Sequence, residues 1–66
     1  MASKDVNPWG LKEFTELRHK GINNRIVRYE YDLCYQEWLL WGLTGYGSYE
    51  RLDDTSLDEW EIIKEG

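Results

Sequence analysis

The stretch RIVRYEY, from Arg25 to Tyr31, decides the fold, because residues of similar polarity recur at every second position. In an extended chain, alternate side chains point to opposite faces. One face of this stretch carries a valine and two tyrosines, and the other carries an isoleucine followed by an arginine and a glutamate. Such alternation of β-branched and aromatic residues is typical of a strand. We therefore predict a strand over residues 25–31.

The residues before this strand predict a helix. Asn7-Pro8 is a typical helix start, because Asn caps free N–H groups and proline suits the first helical position. Cations at positions 18–20 complement the negative end of a helix dipole, and Gly21 suits the left-handed residue that ends a helix. The apolar residues between these signals recur at a spacing of three, which places them on one helical face: Leu11, Phe14 and Leu17. We predict a helix over residues 8–20.

The residues after the first strand predict two further strands. Asp32-Leu33-Cys34 suits a turn into a second strand, Tyr35 to Trp41, whose apolar end indicates a central position. Gly42 to Gly47 contains three glycines and is expected to be a flexible connection. A third strand is predicted from Ser48 to Leu52, followed by a turn over residues 53–56.

The C-terminal residues allow two structures. Ser56-Leu57-Asp58-Glu59 matches a capping box and could open a short helix. The alternation from residue 59 to 64 fits a closing strand instead, and we favour a single turn at 55–58 followed by that strand. The resulting expectation is an α+β fold, one N-terminal helix packed on a small antiparallel sheet of three to four strands. Residues 1–66 form a single domain with a flexible lead-in over residues 1–6.

Composition narrows the cellular setting. Cys34 is the only cysteine, so an intramolecular disulfide is excluded and a reducing compartment is indicated. The longest apolar stretch, Trp38 to Trp41, is far shorter than the roughly 20 residues of a membrane span. The first residues show no secretory signal. We expect a cytoplasmic protein without membrane association.

The charge is distributed unevenly along the chain. Residues 1–28 carry six of the eight basic side chains and a balance of +3, whereas residues 29–66 carry ten acids and a balance of −8. Such asymmetry indicates either a polyionic partner or an acidic surface that keeps the protein soluble.

Catalytic and metal-binding patterns are absent from the sequence. Cys34 and His19 lie in different predicted elements without a local signature of nucleophile and base. The two residues cannot build a zinc site without carboxylates. Asp53, Asp54 and Asp58 lack the spacing and the central glycine of a calcium loop. We expect a protein that is not an enzyme and that uses neither a cofactor nor a metal.

The aromatic residues instead predict a binding surface. Four Trp and five Tyr exceed what so small a core can hold, and exposed rings are typical of protein interfaces. Direct nucleic-acid binding is disfavoured, because the rings lie in the acidic half. Acidic groups beside rings suit a basic groove on another protein. The predicted partner-binding residues are Glu37, Trp38, Trp41, Tyr46, Tyr49, Glu50, Asp53, Asp54, Asp58 and Glu59.

The ending Asp58-Glu59-Trp60-Glu61-Ile62-Ile63 follows an acidic turn that contains Ser and Thr. It resembles the D-W-E-I/V close of many small phage and prophage proteins, among them the Thoeris anti-defence proteins, which sequester a cyclic nucleotide signal. A lysine-rich G-x-x-V-x-R-x-x-W stretch of that family is matched only loosely by Gly21 to Arg28. The resemblance implies a phage origin and an inhibitor role, and it assigns neither a target nor site residues.

Three functions follow as expectations. The first is a phage-type inhibitor that blocks a host nucleic-acid-handling or defence protein through an acidic, aromatic-rich surface that would act as a DNA mimic. The second is a sponge for a nucleotide signal, which would use Arg25, Arg28 or the cations at 18–20 against phosphate. The third is a structural accessory protein, with a homodimer left open.

Overall fold

The computed structural model describes residues 4–44 and 49–66. This part of the chain forms five β-strands and two short 3-10 turns. The strands are β1 (Thr15–His19), β2 (Ile26–Asp32), β3 (Glu37–Gly42), β4 (Tyr49–Arg51) and β5 (Trp60–Lys64). The two 3-10 turns, Leu52–Asp54 and Leu57–Glu59, lie between β4 and β5.

All neighbouring strands of the single sheet are antiparallel, in the order β4-β3-β2-β1-β5. The first four strands follow one another as hairpins, and β5 then returns to the free side of β1. Tyr29 at the centre of β2 lies opposite Thr15 on one side and Leu40 on the other. Directly opposed residues share a face of the sheet, so this register assigns every strand residue to one of two faces.

The inner face carries the hydrophobic core. Residues of four strands are buried on it: Leu17, Val27, Tyr29, Trp38, Leu40 and Trp60. Segments outside the strands cover this face, and their partly buried residues include Trp9, Leu11 and Leu52. The rings stack in series: the ring centroids of Trp9 and Tyr29 are 5.8 Å apart, and those of Tyr29 and Trp38 are 4.8 Å apart.

The buried Tyr29 hydroxyl ties the N-terminal segment to the core. It donates a hydrogen bond to Asn7 Oδ1 and accepts one from the backbone N–H of Trp9. Burial raises the pKa of Tyr29 above its ordinary value. The hydroxyl therefore stays protonated and keeps its donor role at neutral pH.

The predicted α+β class is wrong, because no α-helix occurs in the described residues and the N-terminal helix over 8–20 is not formed. Its second half is strand β1. Thr15 and Leu17 are buried while Glu16 and Arg18 point away, which is the period of two of a half-buried strand. The sheet accordingly has five strands rather than three or four.

The spacing of three that suggested a helix arises from turns. Leu11 packs against the core, whereas Phe14 is 52% exposed. The backbone takes left-handed φ angles at Gly10 (+69°) and Phe14 (+72°), which an α-helix does not contain. The chain between these residues therefore bends, and the three apolar side chains do not share one face.

Other predicted elements are confirmed with shifted boundaries. β2 matches the strand predicted at 25–31, and β3 begins at Glu37, two residues later than predicted, because Tyr35 lies in the turn. The closing strand after a single turn is confirmed as β5, and the Ser56–Glu59 capping box is present on a 3-10 turn. The predicted connection over 42–47 lies partly outside the described residues.

Candidate functional site

The outer face of the sheet is the side opposite the core. Arg28, Trp41 and Tyr49 are opposed in register across β2, β3 and β4 and therefore share this face. Tyr49 lies 5.7 Å from Trp41 and 5.5 Å from Tyr35, measured between ring centroids. We call these three residues the aromatic patch: Tyr35, Trp41 and Tyr49.

The turn between β2 and β3 positions Tyr35. Asp32 Oδ1 accepts a hydrogen bond from the backbone N–H of Tyr35 at 2.9 Å, and Gln36 takes a left-handed φ of +55° before β3 starts. Tyr35 is 56% exposed and Tyr49 is 37% exposed. The hydrogen bond between the two hydroxyls raises the pKa of Tyr35. The patch is thus a fixed surface with accessible rings.

Leu39 lies on the outer face yet is fully buried. It is opposed by Glu30 and Arg51 and is followed two residues later by Trp41. Long side chains commonly cover apolar surface with their stems while their polar ends stay in water. Leu39 therefore provides an apolar base beside the aromatic patch.

Arg28 extends the aromatic surface towards β1. Its guanidinium lies 5.6 Å from the centroid of the Phe14 ring, and its Nε donates to Glu30 Oε2 at 2.5 Å. Trp41 is opposite Arg28 in register. The guanidinium over the Phe14 ring therefore extends the outer face next to Trp41.

Ion pairs join the basic first half of the chain to the acidic second half. Pairs that cross between the halves are Arg18–Glu61, Arg25–Glu50 and Arg28–Glu30. Glu37 pairs with Arg51 at 3.1 Å. Pairing of the strands therefore neutralises part of the acidic excess of residues 29–66.

Several acids remain outside these ion pairs, and three of them lie close together in the sequence. Asp53, Asp54 and Asp58 are exposed and form no ion pair with any residue that the structure describes. They lie in the segment of residues 52–59 between β4 and β5, which we call the connector. The connector contains no basic residue. A negative field of this kind attracts basic partners.

His19 ties the connector to the β1–β2 loop. Its Nδ1 accepts hydrogen bonds from the backbone N–H groups of Gly21 and Ile22, so the ring proton is on Nε2, which donates to Glu59 at 3.2 Å. Glu59 also accepts from the backbone N–H of Ser56. These two bonds lower the pKa of Glu59, the His19 bond contributing most.

Arg25 is buried on the inner side. Its Nη2 lies 3.2 Å from Glu50, and its guanidinium lies 5.9 Å from the Trp60 ring centroid. Nη1 has no hydrogen-bond partner within the described residues. Burial and pairing remove Arg25 from the surface that a nucleotide phosphate would reach.

A groove of about 210 Å³ opens where the N-terminal segment meets the connector. Its apolar walls are Val6, Pro8, Trp9, Trp38 and Leu52. Polar groups at the groove are Glu37, Arg51 and Asp53. Trp38 is 6% exposed, and its indole Nε1 has no acceptor within the described residues.

The structure divides the predicted partner-binding residues among several places. Trp41, Tyr49 and Glu37 share the outer face, and Glu37 also lines the groove with Trp38 and Asp53. The others do not join these two clusters: Glu50 pairs with buried Arg25 on the inner face, Asp54 and Asp58 project from the connector, and Glu59 bonds to His19. Tyr46 lies outside the described residues.

Sequence reasoning missed several residues of these surfaces. Tyr35 was assigned to a strand rather than to the exposed turn, although Asp32 three residues earlier is a typical turn signal. Phe14 was assigned to a helix face. Val6 and Trp9 contribute to the groove, and nothing in their local sequence indicates a contact with the connector.

The described residues offer few groups that are placed for catalysis or for metal binding. His19 uses both ring nitrogens in hydrogen bonds, and Cys34 is exposed in the β2–β3 turn. No group of three or more His, Cys, Asp or Glu within residues 4–44 and 49–66 is placed to hold a metal ion. In the same residues, no helix has the length and apolarity to cross a membrane.

Comparison with protein-family models, curated proteins and solved structures gives no match.

Proposed function

We propose that this chain is a non-enzymatic inhibitor of phage type, which binds a host protein that handles nucleic acid or serves in defence. The aromatic patch supports this proposal more than any other feature. Exposed Tyr and Trp rings on a rigid strand surface are the residues that dominate protein–protein interfaces. The phage-like close at residues 58–63 supports the inhibitor role.

The two surfaces have different tasks in this proposal. Rings of the patch supply most of the affinity, because they bury large apolar area on a sheet that is already ordered. The carboxylates of the connector attract a basic partner and orient it, which mainly raises the association rate. Binding should therefore weaken with salt, although the patch itself is uncharged.

Affinity capture with matched variants tests the proposal. The wild-type protein, Tyr35→Ser/Tyr49→Ser and the control Ile22→Ser are immobilised and exposed to host lysate at low salt. Ile22 is an exposed apolar residue in the β1–β2 loop, outside the patch. We expect a basic host protein on the wild type and the control, at least tenfold less of it on the patch variant, and its release as salt is raised.

The captured protein is then assayed for nucleic-acid binding with and without the wild-type chain. Inhibition by the wild type but not by the patch variant is the expected result. Equal capture by both variants would contradict the proposal, because the exposed rings would then be dispensable.

A nucleotide sponge is the second candidate, and one observation favours it. The Arg28 guanidinium lies 5.6 Å from the Phe14 ring centroid, so a phosphate could bind its Nη atoms while a base stacks on that ring. Glu30 already occupies Nε and weakens such a site. A thermal-shift screen with cyclic and linear nucleotides separates the candidates: stabilisation that is lost in Arg28→Gln supports the sponge, and no stabilisation by any nucleotide rejects it.

A further inference from the structure

The indole N–H of Trp38 is a buried donor without an acceptor in residues 4–44 and 49–66. The chain satisfies the corresponding donor of its other core tryptophan, since Trp60 Nε1 donates to Thr55 Oγ1 at 2.9 Å. Buried polar groups are nearly always hydrogen-bonded, so an unpaired indole N–H calls for an explanation. A bound ligand is one explanation, because it can bring the missing acceptor.

Trp38 is also a wall of the groove. The other apolar walls include Val6, Trp9 and Leu52. A volume of about 210 Å³ is smaller than the roughly 300–1,000 Å³ of most small-molecule pockets. The groove therefore has room for a single apolar residue rather than for a cofactor or a nucleotide.

We infer that the groove binds one apolar residue of an extended segment of the partner protein, whose main-chain carbonyl accepts the hydrogen bond of Trp38. This inference builds on the proposed function, since it names the kind of segment that the partner supplies. Val6 is 60% exposed and lies with Trp38 on the wall of the groove, where an entering segment would contact it.

The charges at the groove specify a second property of the segment. Glu37 is bonded to Arg51, whereas Asp53 has no ion-pair partner in the described part of the chain. A basic residue next to the apolar one would reach the Asp53 carboxylate. We therefore expect the partner segment to contain an apolar residue directly next to Lys or Arg.

Titration of the full chain with blocked dipeptides tests this site by NMR. The probe is acetyl-Leu-Lys-N-methylamide, and the comparison probes are acetyl-Leu-Glu-N-methylamide and acetyl-Ser-Lys-N-methylamide. The indole N–H signals report binding directly. We expect the Trp38 signal to move downfield with the first probe, at a dissociation constant on the order of 1 mM, and each comparison probe to bind several-fold more weakly.

Variants identify the group that binds. Trp38→Phe removes the N–H and keeps an aromatic ring, and it should lower the affinity for the first probe about tenfold. The matched control Trp41→Phe changes the outer face and should bind the probe like the wild type. Val6→Ser alters an exposed wall without touching the core, so it should weaken binding even if Trp38→Phe fails to fold.

The inference would be overturned if the Trp38 indole signal did not move at tens of millimolar probe. It would also be overturned if Val6→Ser and Trp38→Phe both bound the probe as tightly as the wild type. Failure here is distinguishable from failure of the proposed function, because the titration does not involve Tyr35 or Tyr49. If the groove bound no peptide, capture of the host protein could still depend on Tyr35 and Tyr49. Binding of the dipeptide would persist if the aromatic patch bound nothing.

Discussion

The two faces of the sheet both carry aromatic rings, but these are buried on the inner face and accessible on the outer face. Inner rings are stacked and hidden, with Trp9, Tyr29 and Trp38 in series, whereas the outer rings of Tyr35 and Tyr49 remain accessible. Tyr29 and Trp38 belong to β2 and β3, whereas Tyr49 belongs to β4 and Tyr35 to the β2–β3 turn. The difference arises from the segments packed on the inner face, which are the residues before β1 and the start of the connector.

This comparison separates folding from binding. A small domain needs one well-filled core, and the inner face supplies it. Rings on the outer face add little to that core and remain free for a partner. Substitutions on the two faces should therefore differ in what they damage.

Leu39 and Leu40 allow the sharpest test, because they are consecutive, fully buried and on opposite faces. Leu40→Ala opens a cavity in the main core and should cost about 3–5 kcal/mol of unfolding free energy, enough to unfold most molecules. Leu39→Ala should cost about 2 kcal/mol or less, because its exposed cover can collapse. Urea denaturation measures both, and equal losses would mean that the outer face contains a second core.

The ion pairs of the two faces should differ in the same direction. Glu50→Gln leaves the buried Arg25 charge uncompensated and should cost about 2–3 kcal/mol, below the full range for buried pairs because Glu50 is 31% exposed. Glu30→Gln on the outer face should cost about 1 kcal/mol or less. The double variant Arg25→Met/Glu50→Gln should recover most of the loss; a further decrease would show that the charge itself stabilises the fold.

Phe14 tests whether an outer ring is held against local preference. Its left-handed φ of +72° is unfavourable for a residue with a Cβ and ordinary for glycine. Phe14→Gly should be more stable than Phe14→Ala by about 1 kcal/mol, because both remove the ring and only glycine removes the strain. Thermal unfolding of the two variants gives the difference, and the opposite order would mean that this turn changes conformation without the ring.

Glu59 gives the smallest expected effect, at the edge between the faces. Its pKa in the folded chain is lowered from the ordinary value of 4.5 by His19 and Ser56. The stabilisation from these bonds is therefore complete above about pH 5 and is lost as the pH falls through the folded pKa. Stability curves from pH 7 to 3 should fall more steeply for the wild type than for Glu59→Gln; parallel curves would show that the bonds do not contribute.

The sequence predicts the parts of this fold whose signals are local. β2 is recognisable from its alternation, and the 3-10 turn before β5 from the Ser56–Glu59 capping box. β1 escaped prediction because Leu11, Phe14 and Leu17 reproduce a helical spacing by coincidence. Their faces are set by two left-handed backbone positions, one of them at a phenylalanine, which local preference does not predict.

The candidate surfaces depend on contacts between distant residues, and this limits what sequence shows. Excess rings predicted that some aromatics would be exposed, and Tyr35 and Tyr49 are. Whether a ring is covered depends on which segment packs over it, and Trp38 is hidden for that reason. The sequence predicted one acidic surface from residues 29–66. It could not show which of these acids lie next to Arg18, Arg25 and Arg28, because that depends on how the strands pair.

The return of β5 to the side of β1 governs how this chain acquires its structure. Hairpins from β1 to β4 close over short loops and can form within microseconds. Glu61 must find Arg18 across 43 residues, so its pairing carries the loop-closure entropy of most of the chain. Until β5 pairs with it, β1 is an edge strand, and afterwards the edges are β4 and β5. Before that pairing, the exposed backbone groups of β1 are open to edge-to-edge aggregation with another chain.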